Sequence, residues 1–188
     1  MTYDPEKHHR RSIRLHGYDY SQAGAYFVTI CTKNRASLFG SVADGEIQLN
    51  KAGQIAKRAW EKLPARFPSA RLDAFIVMPN HLHAIIIVGA QFIAPTANTS
   101  NESGKGAINR APTLGEMVRA YKAASAAMIR RAAAPDVAWQ RNYYEHVIRD
   151  EDELARIRRY IEDNPRMWET DEENPAAQKR TCKEAWQV

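Results

Sequence analysis

The sequence predicts an α+β protein: a ferredoxin-like β-α-β-β-α-β sandwich with an antiparallel sheet, extended by an added C-terminal helix. Three observations carry that expectation. Stretches rich in β-branched and aromatic residues alternate with helical periodicities in that order. A chain of 188 residues with 44% hydrophobic content suffices for one domain with a core. No apolar run approaches the roughly 20 residues that span a bilayer, and "MTYDPEKHHRRSIRLHG" has no apolar signal core, so a cytoplasmic, membrane-free protein is expected.

Residues 1–17 read as a basic arm, with Arg10, Arg11 and Arg14 close together, although a solvated tail explains them equally well. "AYFVTICT" (25–32) reads as the first strand, and "GEIQL" (45–49) as a short hairpin strand after a turn. Asn50 can cap a helix whose apolar positions Ala52, Ile55, Ala56, Ala59, Trp60 and Leu63 follow the 3.6-residue period, with Pro64 at its end. "LDAFIVM" and "HLHAIIIVG" follow as consecutive strands joined at Pro79-Asn80, a turn-favouring dipeptide, and form an antiparallel hairpin. Residues 90–112 lack periodicity and read as a mobile loop.

A second helix starts at Thr113, with Leu114, Met117, Val118, Tyr121, Met128 and Ile129 on one side and Arg119, Lys122, Arg130 and Arg131 on the other. Pro135 closes it, and "VAWQRNYYEHVIR" supplies the last β-rich stretch. Asp150 and Glu153 have capping-box spacing ahead of a third helix, "EDELARIRRYIED", that stops before Pro165. The domain is expected over 18–168, and 169–188 as a C-terminal tail. In this strand order the first and third strands are central.

The formal charge of +5 makes a polyanionic partner plausible. Cys31 and Cys182 match no paired pattern and read as ordinary thiols. Sharper chemistry lies in "MPNHLHAIIIVG". Side chains alternate along a strand, so His81 and His83 share one face of a central strand and can both reach one divalent ion, against the bland reading of two satisfied histidines. Near the chain's end, "RRYIEDNP" places Tyr160 and Asn164 four residues apart on one helix face, beside the apolar stripe of Leu154, Ile157 and Ile161. Tyrosine can supply a phenolic nucleophile and asparagine a neutral carbonyl ligand; boundary packing and a helix C-cap are the alternatives.

Taken in order, "NHLHAII", "WQRNYYEHVIRD" and "YIEDNP" resemble the REP-associated tyrosine transposases, a branch of the single-tyrosine transposases in the histidine-hydrophobe-histidine endonuclease superfamily. The similarity runs from about Tyr18 to Trp168. The resemblance implies an antiparallel sheet carrying Mg²⁺ or Mn²⁺ on His81 and His83, Tyr160 as nucleophile, and Asn164 as third ligand where insertion-sequence relatives usually have Gln. It also implies cleavage of single-stranded DNA beside hairpins of REP palindromes, through a 5′-phosphotyrosine with a free 3′-OH. The nearer branch points to a monomer, insertion-sequence relatives to a dimer.

Tyr143 and Tyr144 are rival nucleophiles by residue type. Candidate DNA contacts are the arm arginines, Arg119, Lys122 and His146, the last with a structural role at the sheet edge as its competitor. Nothing in the sequence singles out a base for a phenol whose reference pKa is about 10. Two other functions compete: a non-catalytic nucleic-acid-binding module descended from a transposase, and a metal-dependent phosphodiesterase that uses water.

Overall fold

The computed structural model describes residues 23–89, 112–171 and 173–177. The arm expected over 1–17, with Arg10, Arg11 and Arg14, lies outside the described residues, as do Cys182 and all but residue 112 of the loop expected over 90–112.

Four strands form one antiparallel sheet: β1 (Gly24–Cys31), β4 (Ala70–Val77), β5 (His81–Val88) and β6 (Tyr144–Ile148). Their order is β4-β5-β1-β6, which makes the first and third strands of the sandwich central, as expected. β2 (Gly40–Ala43) and β3 (Glu46–Leu49) pair separately as a hairpin. The helices are α1 (Lys51–Glu61), the single turn α2 (Leu63–Arg66), α3 (Leu114–Ala132) and α4 (Glu151–Asp163).

Local chemistry accounts for the boundaries. Asn50 Oδ1 accepts the Gly53 N–H at 3.0 Å and starts α1. That helix ends at Glu61, and Pro64 sits in the first turn of α2, where its missing N–H costs nothing. Thr113 and Glu116 close a reciprocal capping box on α3. Asp150 caps α4 through Glu153 N–H at 2.7 Å, whereas the Glu153 carboxylate reaches past the cap to the Arg149 N–H at 2.9 Å. The last β-rich stretch yields only five strand residues; its beginning makes a single bridge, Trp139 to Thr32.

The pleat sorts side chains onto two faces. Tyr26, Val28 and Ile30 of β1 and Leu82, Ala84, Ile86 and Val88 of β5 meet α1 and α3 in the main core, where Trp60 and Tyr121 pack edge to face at 5.1 Å. On the opposite face Phe27, Ile85 and Ile148 pack against Leu154 and Ile161 of α4. β4 carries a bulge: Leu72 pairs with Ile86 and Phe75 with Ala84, so three steps on β4 span two on β5. Asp73 lies in that bulge, and Arg158 of α4 grips its carboxylate with two prongs, Nε at 2.7 Å and a terminal nitrogen at 2.8 Å. The guanidinium holds the Asp73 carboxyl below the usual range.

Ile161 is the most deeply buried residue that α4 contributes to this second core. Ile161→Ala is expected to cost about 2–5 kcal/mol by chemical denaturation. Amide exchange should show α4 opening before the sheet.

Candidate active site

β5 presents His81 and His83 on the face covered by α4, with ring centroids 4.3 Å apart and opposite Cys31 and Thr29 of β1. Both imidazoles are buried, at 0% and 2% exposure. A buried imidazole must be neutral or paired, and burial lowers both pKa values, that of His81 to about 3, with Arg35 adding to the effect there and His81 adding to it at His83.

Which nitrogen of His81 carries the proton follows from its neighbour. The fully buried Asn80 donates its Nδ2 hydrogens to the carbonyls of Arg35 at 3.1 Å and Glu173 at 2.7 Å, so its Oδ1 must be the atom facing His81 Nδ1 at 2.8 Å. His81 Nδ1 therefore donates, and Nε2 keeps its lone pair. That Nε2 is buried and has no hydrogen-bond partner among the described residues. The Nδ1 of His83 meets Thr29 Oγ1 at 2.8 Å; that hydroxyl can donate or accept, so the contact orients the ring without selecting its tautomer.

The other sequence candidates arrive on α4. Tyr160 Oη lies 3.2 Å from His83 Nε2, and its half-exposed ring stands edge-on to Phe27 and His83. Asn164, the residue closing α4, is 2% exposed and lines the same cavity of about 670 Å³. Its Oδ1 is buried without a partner among the described residues.

One member was not anticipated. After α4 the chain turns back, and the ligand atoms of His81, His83 and Asp171 lie within 4.8 Å of one another. Asp171 Oδ2 is likewise buried without a partner among the described residues. Three such atoms, His81 Nε2, Asn164 Oδ1 and Asp171 Oδ2, are a costly arrangement for a cavity holding only solvent and a fitting one for a divalent cation. Asp171 falls in the acidic stretch "WETDEE", where no spacing distinguishes it from its neighbours.

The remaining candidates fall elsewhere. Tyr144 lines the cavity, half exposed and edge-on to Phe27. Tyr143 points to the opposite face, packed against the main core with the Lys122 ammonium 5.4 Å from its ring. Lys122 also donates to the carbonyls of Gln140 and Asn142, both at 2.9 Å; burial lowers its pKa to about 8. Arg119 is exposed on α3, so it and Lys122 belong to the helix layer across the sheet from the histidines. His146 pairs with Glu153 of α4 at 2.7 Å, a bond that ties β6 to the helix. Cys31 is a buried thiol, pushed up to about 12 by burial and by Glu173.

No family model matches the chain. An uncharacterized protein of Haemophilus influenzae (strain ATCC 51907 / DSM 11121 / KW20 / Rd) is 42% identical over 175 residues, 90% of this chain and 96% of that protein. The chain belongs to the family of that protein. A solved REP-associated tyrosine transposase, bound to a REP hairpin, aligns with a TM-score of 0.54 at 20% identity over 82% of this chain and 74% of its own. The fold is thus that of a REP-associated tyrosine transposase, as the resemblance implied. Among the described residues, no helix is long and apolar enough to cross a membrane.

The buried neutral histidines make stability depend on pH. Unfolding lets each take a proton near its reference pKa of about 6.5, so stability is full above that value and falls as pH drops toward about 3, the value for His81. The slope is at most about 1.4 kcal/mol per pH unit for each histidine. Denaturation in chelator at stepped pH from 7 to 5 should show a shallower dependence in His81→Gln than in the wild type.

Proposed function

We propose that the chain is a metal-dependent transposase, a single-strand DNA endonuclease and strand transferase that acts beside REP-type hairpins with Tyr160 as its nucleophile. The observation that carries the reading is the 3.2 Å contact between the Tyr160 hydroxyl and His83 Nε2, which sets a phenol beside the candidate ligand group of His81, His83 and Asp171. The hairpin bound by the similar solved transposase supports the substrate class.

His81, His83, Asn164 and Asp171 are the residues that would hold Mg²⁺ or Mn²⁺. A divalent ion there would neutralise and polarise a non-bridging phosphate oxygen, lowering the charge repulsion that protects a phosphodiester. Tyr160 attacks the phosphorus: the phenol gives up its proton to solvent, the tyrosyl O–P bond forms, the P–O3′ bond breaks, and the departing 3′ oxygen takes a proton from solvent to become a 3′-OH. The 5′-phosphotyrosine keeps the phosphoester, so a different 3′-OH can reverse the step without a nucleotide cofactor. To ligate an ion, His83 Nε2 would have to present its lone pair, so sharing a hydrogen bond with the Tyr160 hydroxyl and ligation are mutually exclusive, and loading the site would release the hydroxyl for attack.

All these groups meet within one chain, which supports a monomer as the active unit. The basic N-terminal arm remains the candidate for reading a duplex stem or its flanking bases. Arg119 and Lys122 could serve only a strand that wraps to the other side of the sheet, and His146 serves primarily to hold Glu153.

Tyr160→Phe is expected to abolish the SDS-stable protein–DNA band formed on a single-stranded hairpin substrate, a loss of more than about 10³-fold. The same variant should bind Mn²⁺ at least as tightly as the wild type, because a competing hydrogen-bond partner of His83 Nε2 has gone. Undiminished band formation would transfer the nucleophile to Tyr144, which lines the same cavity. Turnover without any covalent band would favour the water-using phosphodiesterase, and cleavage undiminished in chelator would remove the metal.

A further inference from the structure

We propose that Glu173 is a positioning residue: it latches the chain beyond α4 across the ends of β1 and β5 and so presents Asp171 as a carboxylate ligand to the ion held by His81 and His83. The inference rests on the metal-binding part of the reading above and is independent of the tyrosine chemistry.

A circuit of hydrogen bonds joins the two ligands. His81 Nδ1 donates to Asn80 Oδ1, and Asn80 Nδ2 donates to the Glu173 carbonyl at 2.7 Å. The Glu173 N–H then donates to Asp171 Oδ1, also at 2.7 Å. This last bond occupies one carboxylate oxygen and leaves Oδ2, the unpartnered atom, for the cavity. One residue thus touches the orienting groups of a sheet ligand and of a ligand ninety positions later in the chain.

The Glu173 side chain anchors the circuit. Its carboxylate takes Arg35 Nε at 2.8 Å and the Cys31 thiol at 3.3 Å. Arg35 in turn sits in a left-handed turn, with φ of 58° at Asn34 and 52° at Arg35, conformations that non-glycine residues adopt only when their surroundings hold them. Asn80 supplies a second reason for the latch. It is fully buried, and without the Glu173 carbonyl one of its donors would lose its partner in the interior. The Trp168 ring, 6.0 Å from that of His81, and the Asn174 bond to the Trp168 carbonyl at 2.7 Å complete the fold-back. A carboxylate on a loose segment would have to be ordered at the moment of binding; the latch makes that ordering part of folding.

The test titrates Mn²⁺ alone into the full chain, without DNA, and reads free Mn²⁺ by electron paramagnetic resonance. Asp171→Asn and Glu173→Gln should each raise the Mn²⁺ dissociation constant by about 10- to 100-fold, with unchanged circular dichroism in chelator. Arg35→Ala, which releases the latch from its other side, should reproduce the Glu173→Gln loss and serves if that variant folds poorly. Because Glu173 acts through Asp171, the double variant should bind no more than about threefold weaker than Asp171→Asn alone. Wild-type affinity in Asp171→Asn would overturn the ligand assignment, and losses that multiply in the double variant would overturn the positioning role. A wild-type chain that binds no Mn²⁺ yet forms the covalent band in chelator would refute the inference while leaving the tyrosine assignment standing.

Discussion

The seating of α4 on the sheet is the interaction on which the site depends. The histidines belong to β5 and are fixed by the ladder itself, but the phenol and the amide arrive on a separate element whose height and rotation are set only by how it docks. Two kinds of contact set them. Leu154 and Ile161 bury apolar surface against Phe27, Ile85 and Ile148, which supplies attraction without much direction. The two-pronged Arg158–Asp73 pair and the His146–Glu153 bond add direction, at opposite edges of the sheet.

Burial does a second task at this site. In water, imidazoles would be partly protonated near neutrality, and a protonated ring cannot ligate a cation. Enclosing both rings keeps them neutral, while Asn80 fixes the tautomer of His81 and Thr29 orients the ring of His83. The Tyr160 hydroxyl shares a hydrogen bond with the Nε2 of His83. The central strand β5 therefore presents two neutral imidazoles that could hold an ion, and the phenol is held beside them.

Much of this was legible from residue order because short-range physics wrote it. The strand pattern, the Asn50 and Asp150 caps and the His81/His83 alternation depend on spacings of two to four residues, and spacing is visible in a sequence. Tyr160 and Asn164 were visible as a pair on one helix face, and the fold that brings them over the histidines was implied by the family resemblance more than by any pattern. Asp171 was not legible. Its selection among five acidic or polar neighbours depends on a hydrogen bond to the next-but-one amide and on Arg35, over a hundred positions upstream, and neither leaves a periodic trace. Asn80 was read as a turn former; its buried role in fixing a tautomer is likewise a tertiary fact. The difference between Tyr143 and Tyr144 was open in sequence and follows from the pleat, which turns adjacent side chains to opposite faces.

The extra residue in β4 gives the geometry an unusual point of control. By interrupting the pleat at Asp73, the strand keeps Leu72 and Phe75 both turned to the main core while lending a carboxylate to the other face. The azimuth of the helix that carries Tyr160 and Asn164 is in this way encoded by an insertion of one residue in an edge strand that contributes nothing to the cavity. Lengthening or shortening that strand by a single position would leave every candidate ligand and the phenol chemically intact and yet change the angle at which they face each other, so the geometry of the site can drift through backbone indels well before any of its side chains is replaced.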